Sequence, residues 1–449
     1  MAVQIQSVYL SLSAITLSLS LVAGARAQDQ RCFKDVKVKV PDAQLEQLIS
    51  LPKLGVGEFY DFIGDVTELK DGTVVIPQIN NNGGGSVITF VNPAKGYEKK
   101  TITLHGQPDE IHVLALKDGG VALTVFETIR DKNGDTIRGE SKVYISKSDG
   151  TQTAAFDLPR PPDQIFESPK GELIVSHGEG HEYGPRIDTY DRSGKLLRKV
   201  EAPAGMYSKL GQASDGTLFA LGRNDNGQRA TMLLMNPDGS LRKSVTQAEW
   251  YSSPVSMNDG TIAVAAGPYD KLKIQRISTS GDVKESYPVR SVPSFDTSFS
   301  NQGGLQMLND GRAIMLNHNG IGIATREGDT FNFVHTNGRH LPIVLRDGKL
   351  LLRSPVRDNE WSIRNVDGGE YLSFNPSTKL LMHESPTSSI QTRDGKLWSA
   401  GYQGKGARRD SYHIEVRKIV EGAKEVTKRV PVDCQSGEVI SESGTPATH

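Results

Sequence analysis

The chain has 449 residues, 36 % of them hydrophobic and 23 % charged, enough apolar material for one large domain or two to three small ones. Lys plus Arg (52) and Asp plus Glu (53) nearly cancel, so no overall field draws the chain toward nucleic acid or an anionic membrane. No CxxC, HExxH, Walker or Gly-x-Ser-x-Gly motif is present, which removes the sequence-local catalytic classes.

Residues 1–27 read as a secretory signal. An apolar, Ser/Leu-rich run from Val8 to Val22 precedes Ala25-Arg26-Ala27, with small residues at −3 and −1 before Gln28. The alternative is an uncleaved anchor. A periplasmic or secreted protein follows, soluble after cleavage, since no later run approaches a spanning length.

Only two cysteines occur, Cys32 and Cys434, at opposite ends of the mature chain. In an oxidising compartment they are expected to pair, closing a loop worth ~4–6 kcal/mol in the chain-entropy model. Val36-Lys37-Val38-Lys39-Val40 alternates as a half-buried strand, so a closing strand is expected over 33–40. Asp42 to Ile49 reads as a short helix over 42–51. Val426-Thr427-Lys428-Arg429-Val430 is strand-like again, and the two strand-like runs are expected to pair in the closing blade with the disulfide as a clasp.

Between them runs a repeat. Gly72, Gly119, Gly171, Gly216, Gly260, Gly311, Gly348 and Gly395, most of them after Asp, each precede an apolar β-prone run such as Val74-Val75-Ile76 or Leu218-Phe219-Ala220. A second series, Gly96, Gly150, Gly194, Gly239, Gly281, Gly328, Gly368 and Gly422, alternates with it without exception. Asp-Gly between β-prone runs signals a hairpin, because Gly takes positive φ at no steric cost. Eight repeats of about 46 residues match the four-strand blade of a propeller, whose two-faced sheets must stack to bury themselves. The predicted fold is therefore an all-β, single-domain β-propeller over 28–434, with repeats over about 55–430 and eight four-stranded blades; seven remain if one repeat is degenerate. Residues 435–449 are expected to be a disordered tail.

With strands A to D counted from the axis, the two glycine series are the A–B and C–D turns of one face. The spacing that spans each B–C connection runs from 17 residues in repeat 6 to 31 in repeat 2, so the opposite face is the variable one and the expected binding face. Its candidates are His177, Glu179 and His181 in repeat 3, with His177 and His181 as the pair that could hold a divalent metal. Arg353 and Arg357 in repeat 7 with Lys405, Arg408 and Arg409 in repeat 8 suit carboxylate or phosphate recognition. His318 and His340 add polar groups to that face, and Trp250, Tyr251 and Trp361 read equally as packing between blades.

Runs such as Asp215-Gly216-Thr217-Leu218-Phe219 and Asp394-Gly395-Lys396-Leu397-Trp398 resemble the repeats of streptogramin-lyase-like and NHL-like propellers. The resemblance implies the propeller scaffold and, for the lyases, a metal-assisted elimination at the propeller face. The lyases' His and Glu pattern matches no positions here, and no catalytic residue carries over. The leading expectation is a monomeric binding module for a protein, peptide or glycan, without a nucleic-acid partner. The alternatives are a metal-assisted lyase or hydrolase and a structural component of an envelope complex.

Overall fold

The computed structural model describes residues 32–54, 61–80, 86–104, 108–130, 136–177, 186–201, 210–222, 231–246, 254–267, 273–288, 305–308, 312–317, 320–324, 330–333, 343–353, 361–365, 370–374, 379–380, 389–403 and 411–436. The expected signal segment and most of the expected tail lie outside these. The chain divides into two compact units, residues 40–423 and the paired ends, whose described parts are 32–39 and 424–436.

Among the described residues, unit 40–423 holds eight antiparallel sheets. One long strand, β1 (Cys32–Ser50), precedes them. Blade 1 sets β2 (Asp61–Ile63) and β3 (Thr67–Glu68) against β4 (Val74–Asn80), followed by β5 (Ser86–Asn92) and β6 (Glu98–Leu104). Blade 2 is β7 (Pro108–Ala115), β8 (Val121–Arg130), β9 (Thr136–Ser146) and β10 (Gln152–Leu158). Blade 3 is β11 (Gln164–Glu167), β12 (Leu173–His177), β13 (Arg186–Tyr190) and β14 (Leu196–Glu201). Blade 4 is β15 (Gly211–Gln212), β16 (Leu218–Gly222), β17 (Thr231–Met235) and β18 (Leu241–Thr246). Blade 5 is β19 (Val255–Ser256), β20 (Ile262–Ala266), β21 (Lys273–Ile277) and β22 (Val283–Pro288). Blade 6 is β23 (Leu305–Met307), β24 (Ala313–Asn317), β25 (Gly320–Ala324) and β26 (Thr330–Phe333). Blade 7 is β27 (Ile343–Val344), β28 (Leu350–Arg353), β29 (Trp361–Arg364) and β30 (Glu370–Phe374). Blade 8 sets β31 (Lys379–Leu380) and β32 (Ser389–Gln391) against β33 (Leu397–Gln403), then β34 (Ser411–Val432), and β1 is its outer strand.

Each second strand is an apolar run because both its faces are covered. β12, β16 and β20 are buried throughout, whereas the outer strands β14 and β18 are largely exposed. Apolar clusters join successive blades. Val75, Ile88 and Val121 link blades 1 and 2, Ile174 and Leu218 link 3 and 4, and Val74 and Trp398 link blade 8 back to blade 1. The ring of eight is closed, a β-propeller.

Every described glycine of the two predicted series has positive φ. Gly311, Gly328 and Gly368 lie outside the described residues. The turns are tied locally: Asp71, Asp215 and Asp259 each accept the amide two residues on, at 2.9, 2.8 and 3.1 Å.

Three expectations are corrected. The segment expected as a helix over 42–51 is strand, the later half of β1, with Ala43 and Ile49 buried at 3 % exposure each. Its helix-prone residues yield to the open edge of β34, whose backbone groups need partners. Gly422 forms no C–D hairpin, because β34 runs through it to Val432 and β1 supplies the fourth strand. The extra length of repeat 2 lies in its strands, β8 and β9, which stay paired out to Arg130↔Thr136, and its connection is only 131–135.

The second unit is a two-stranded ribbon. The strand-like runs at the chain ends do pair, and Cys32 and Cys434 are disulfide-bonded with a Cα–Cα distance of 5.0 Å. Lys37 and Glu425 form an ion pair across it at 2.8 Å, and Arg429 lies 5.1 Å from the Phe33 ring centre.

Candidate functional site

The B–C connections range from two residues (318–319) to eight (178–185 and 223–230), while the opposite face consists of short Asp- and Gly-built turns. Two of these connections rise from charged, buried feet.

In blade 3, His177 and Arg186 are cross-strand partners, the last and first residues on either side of 178–185. Asp188 lies two residues further along β13, fully buried. Arg186 Nη2 donates to its Oδ2, and the Tyr190 hydroxyl donates to the same oxygen at 3.1 Å. His177 Nδ1 lies 3.0 Å from the Pro161 carbonyl oxygen, and its Nε2 is 3.2 Å from Asp188 Oδ2 without hydrogen-bond alignment. Burial alone would push the Asp188 carboxyl up; the proximity of His177 and Arg186 outweighs it and holds the group at about 2. Burial, reinforced by the Asp188 charge, pushes the Tyr190 phenol up, so it stays a donor. Among the described residues, Asp188 Oδ1 and Arg186 Nε have no hydrogen-bond partner. Orphan polar atoms in a native core call for a water or a ligand group.

Blade 8 places a buried carboxylate at the same register, with its arginine on the side away from the B–C connection. Asp188 faces Val175, two residues past Leu173; Glu415 faces Ser399, two residues past Leu397. Arg417 Nε donates to Glu415 Oε2 at 2.8 Å, and its Nη1 donates to the Ala43 carbonyl at 2.7 Å. Nearer the 404–410 connection, His413 Nε2 lies 2.8 Å from Ser411 Oγ, while its buried Nδ1 has no hydrogen-bond partner among the described residues. Burial lowers the His413 pKa, the Glu415 charge opposing it, so the ring is neutral at neutral pH.

Of the sequence-derived candidates, His177 is placed, and it is a buried strand residue where a loop residue was expected. Arg353 is the last residue of β28, opposite Trp361. Glu179, His181, His318, His340, Arg357, Lys405, Arg408 and Arg409 lie outside the described residues, as do Trp250 and Tyr251. Trp361 packs with Leu351, Ile363 and Leu397 between blades 7 and 8. Among the described residues no group of three or more His, Cys, Asp or Glu is arranged to hold a metal ion. No described helix is long and apolar enough to cross a membrane.

Arg186, Asp188, Tyr190, His413, Glu415 and Arg417 were not among the candidates. Their signal was present. In Arg186-Ile187-Asp188-Thr189-Tyr190 and His413-Ile414-Glu415-Val416-Arg417, charged or hydrogen-bonding side chains stand at every second position of third strands whose two faces are both covered by neighbouring blades.

No protein-family model matches the chain, and no curated protein matches it. Among solved structures it is similar to the β-propeller domain of the Trilobed protease from Pyrococcus furiosus, at 12 % identity and a TM-score of 0.43, covering 71 % of this chain and 99 % of that one. A complex of KlAtg21 with the coiled-coil of AgAtg16 matches at 12 % identity and TM-score 0.41, over 81 % and 99 %. BBS1N in complex with ARL6DN matches at 14 % and 0.38, over 68 % and 90 %. The fold rests on the eight sheets themselves.

Proposed function

We propose that the protein is an exported binding module that holds a protein, peptide or glycan on its B–C face. The observation that carries this reading is the buried charged groups on β13 and β34, the third strands that follow 178–185 and 404–410, with polar atoms of Asp188, Arg186 and His413 unpartnered among the described residues. Binding loops on a rigid scaffold are the ordinary use of such a face. The disulfide fits an oxidising compartment, and the signal-like residues 1–27 fit export.

The resemblance to streptogramin-lyase-like propellers supplies the rival, a metal-assisted lyase or hydrolase with His177, Glu179, His181, His318 and His340, of which His177 and His181 would hold the metal. For His177 to bind a metal, one ring nitrogen would have to leave the Pro161 carbonyl or turn from Asp188.

The melting temperature, measured with chelator and then with a panel of divalent metals, separates the two. A ligand that binds only the folded state raises it by mass action. The binding-module reading expects no metal-dependent shift. A reproducible rise that disappears in His181→Ala would replace it with the enzyme.

A further inference from the structure

The disulfide-closed ribbon has features that closing a propeller does not require. Lys37 contacts Glu425 and Phe33 contacts Arg429, so odd-numbered residues of its two strands share one side. The other side then carries Val36, Val38, Val426 and Val430, all partly exposed. A two-stranded ribbon is marginal in water without a covering layer or a covalent tie. β1 stands at the end of its sheet order, so over Cys32–Lys39 its outer edge presents a row of backbone N–H and C=O groups that no described strand pairs.

Charge says what fits there. Lys34, Lys37, Lys39, Lys424, Lys428 and Arg429 stand against Asp35, Glu425 and Asp433, a local excess of three positive charges in a chain whose total is −1. Lysines along an edge repel a second copy of the same edge. A strand carrying carboxylates would instead gain charge pairing along with the backbone ladder.

We propose that the outer edge of β1 over Cys32–Lys39 is a docking edge for an acidic, extended polypeptide segment, which adds to the ribbon as a third strand. The backbone ladder supplies affinity and the lysines select the partner. The proposal does not depend on what binds the B–C face.

The test is fluorescence anisotropy of a labelled peptide alternating Glu with Thr or Val, titrated with the oxidised full chain. Two control peptides accompany it, one with Lys in place of Glu and one N-methylated at alternate residues. The expected result is saturable binding of the acidic peptide, about tenfold weaker or worse for the N-methylated peptide and for Lys34→Glu/Lys39→Glu, and none for the Lys peptide. If the charge reversal perturbs the ribbon, Lys34→Gln/Lys39→Gln gives the same readout with polarity retained. Equal binding of the N-methylated peptide would overturn strand addition. Absence of binding, or binding indifferent to both lysine variants, would overturn the site. Flotation with anionic vesicles or dimerisation, lost in the same variants in place of peptide binding, would assign the edge to a membrane or to a second copy and overturn the proposal.

Discussion

At Asp188 a single carboxylate oxygen takes the Arg186 guanidinium and the Tyr190 hydroxyl, with the His177 ring beside it, all in the interior of blade 3. Removing its charge leaves Arg186 buried without a counter-ion, a costlier state than losing the whole pair. Asp188→Asn is therefore expected to lower unfolding free energy by about 3 kcal/mol in urea titration, and Arg186→Met/Asp188→Leu to recover much of that loss. A loss below about 1 kcal/mol for the single variant would show that the cluster bears little of blade 3's stability.

The same carboxylate sets a pH dependence. Its folded pKa of about 2 lies below the unfolded value of about 3.9, so its stabilisation is complete above pH ~4 and is lost as pH falls toward 2. The turn carboxylates Asp149, Asp191, Asp259 and Asp282 act in the same direction, each held down first by a neighbouring hydroxyl, that of Thr151, Ser193, Thr261 or Ser280. Thermal melts between pH 5 and pH 2 should show stability falling below about pH 4, with a shallower fall in Asp188→Asn. A fall of equal steepness in that variant would remove Asp188 from the account.

Gly194 shows a turn glycine with two reasons to stay. Its φ is +89°, and a Cβ there would lie 2.4 Å from the Phe156 ring. Gly194→Ala is expected to cost about 2 kcal/mol, read as a shift in the urea midpoint at unchanged slope.

At the scale of elements, β1 is where local propensity and tertiary pairing disagree. As a docked strand, Ile49 is 3 % exposed against Trp398 and Ile414, whereas Leu45 is 42 % exposed. Ile49→Ala should cost about 2–4 kcal/mol and Leu45→Ala no more than about 0.5. Similar losses at both would contradict the strand. The blades were legible in the sequence because each turn needs positive φ, and glycine marks that need at regular intervals. The later half of β1 was not, because Ala43-Gln44-Leu45-Glu46-Gln47-Leu48 carries helix-prone residues and the edge that overrides them lies over 360 residues away, at Tyr412 to Arg417. The buried charges were not legible for a related reason: they are set inside strands, apart from the glycines that mark the repeat. Asp188 meets His177 only once β12 and β13 pair.

For the whole propeller, closure depends on one inter-blade bond used repeatedly. A side chain on a blade's inner strand accepts the backbone N–H at the end of the preceding blade's inner strand. Glu167 takes Lys117 N at 2.7 Å, Gln391 takes Arg346 N at 2.6 Å, and Glu68 takes Arg393 N at 3.1 and 3.0 Å. The last of these joins blade 8 to blade 1, where the Arg393 guanidinium also donates to the Lys70 carbonyl at 2.8 Å. Together with β1 as the outer strand of blade 8, it makes the ring a rigid frame whose turn face is tied by its own Asp side chains. Variation is left to the opposite face.

That division is tested by screening the full chain on an array of peptides and glycans, then repeating the screen with 178–185 and 404–410 replaced by Gly-Ser linkers of equal length. A turn-face variant, Asp215→Asn, serves as the matched control. Binding, other than that of acidic peptides taken by the β1 edge, is expected to be lost with the loops and kept in Asp215→Asn, with the melting transition intact in both. Binding that survives loop replacement when Lys34→Gln/Lys39→Gln has also removed the β1 edge would contradict that division and move the functional surface away from the B–C face.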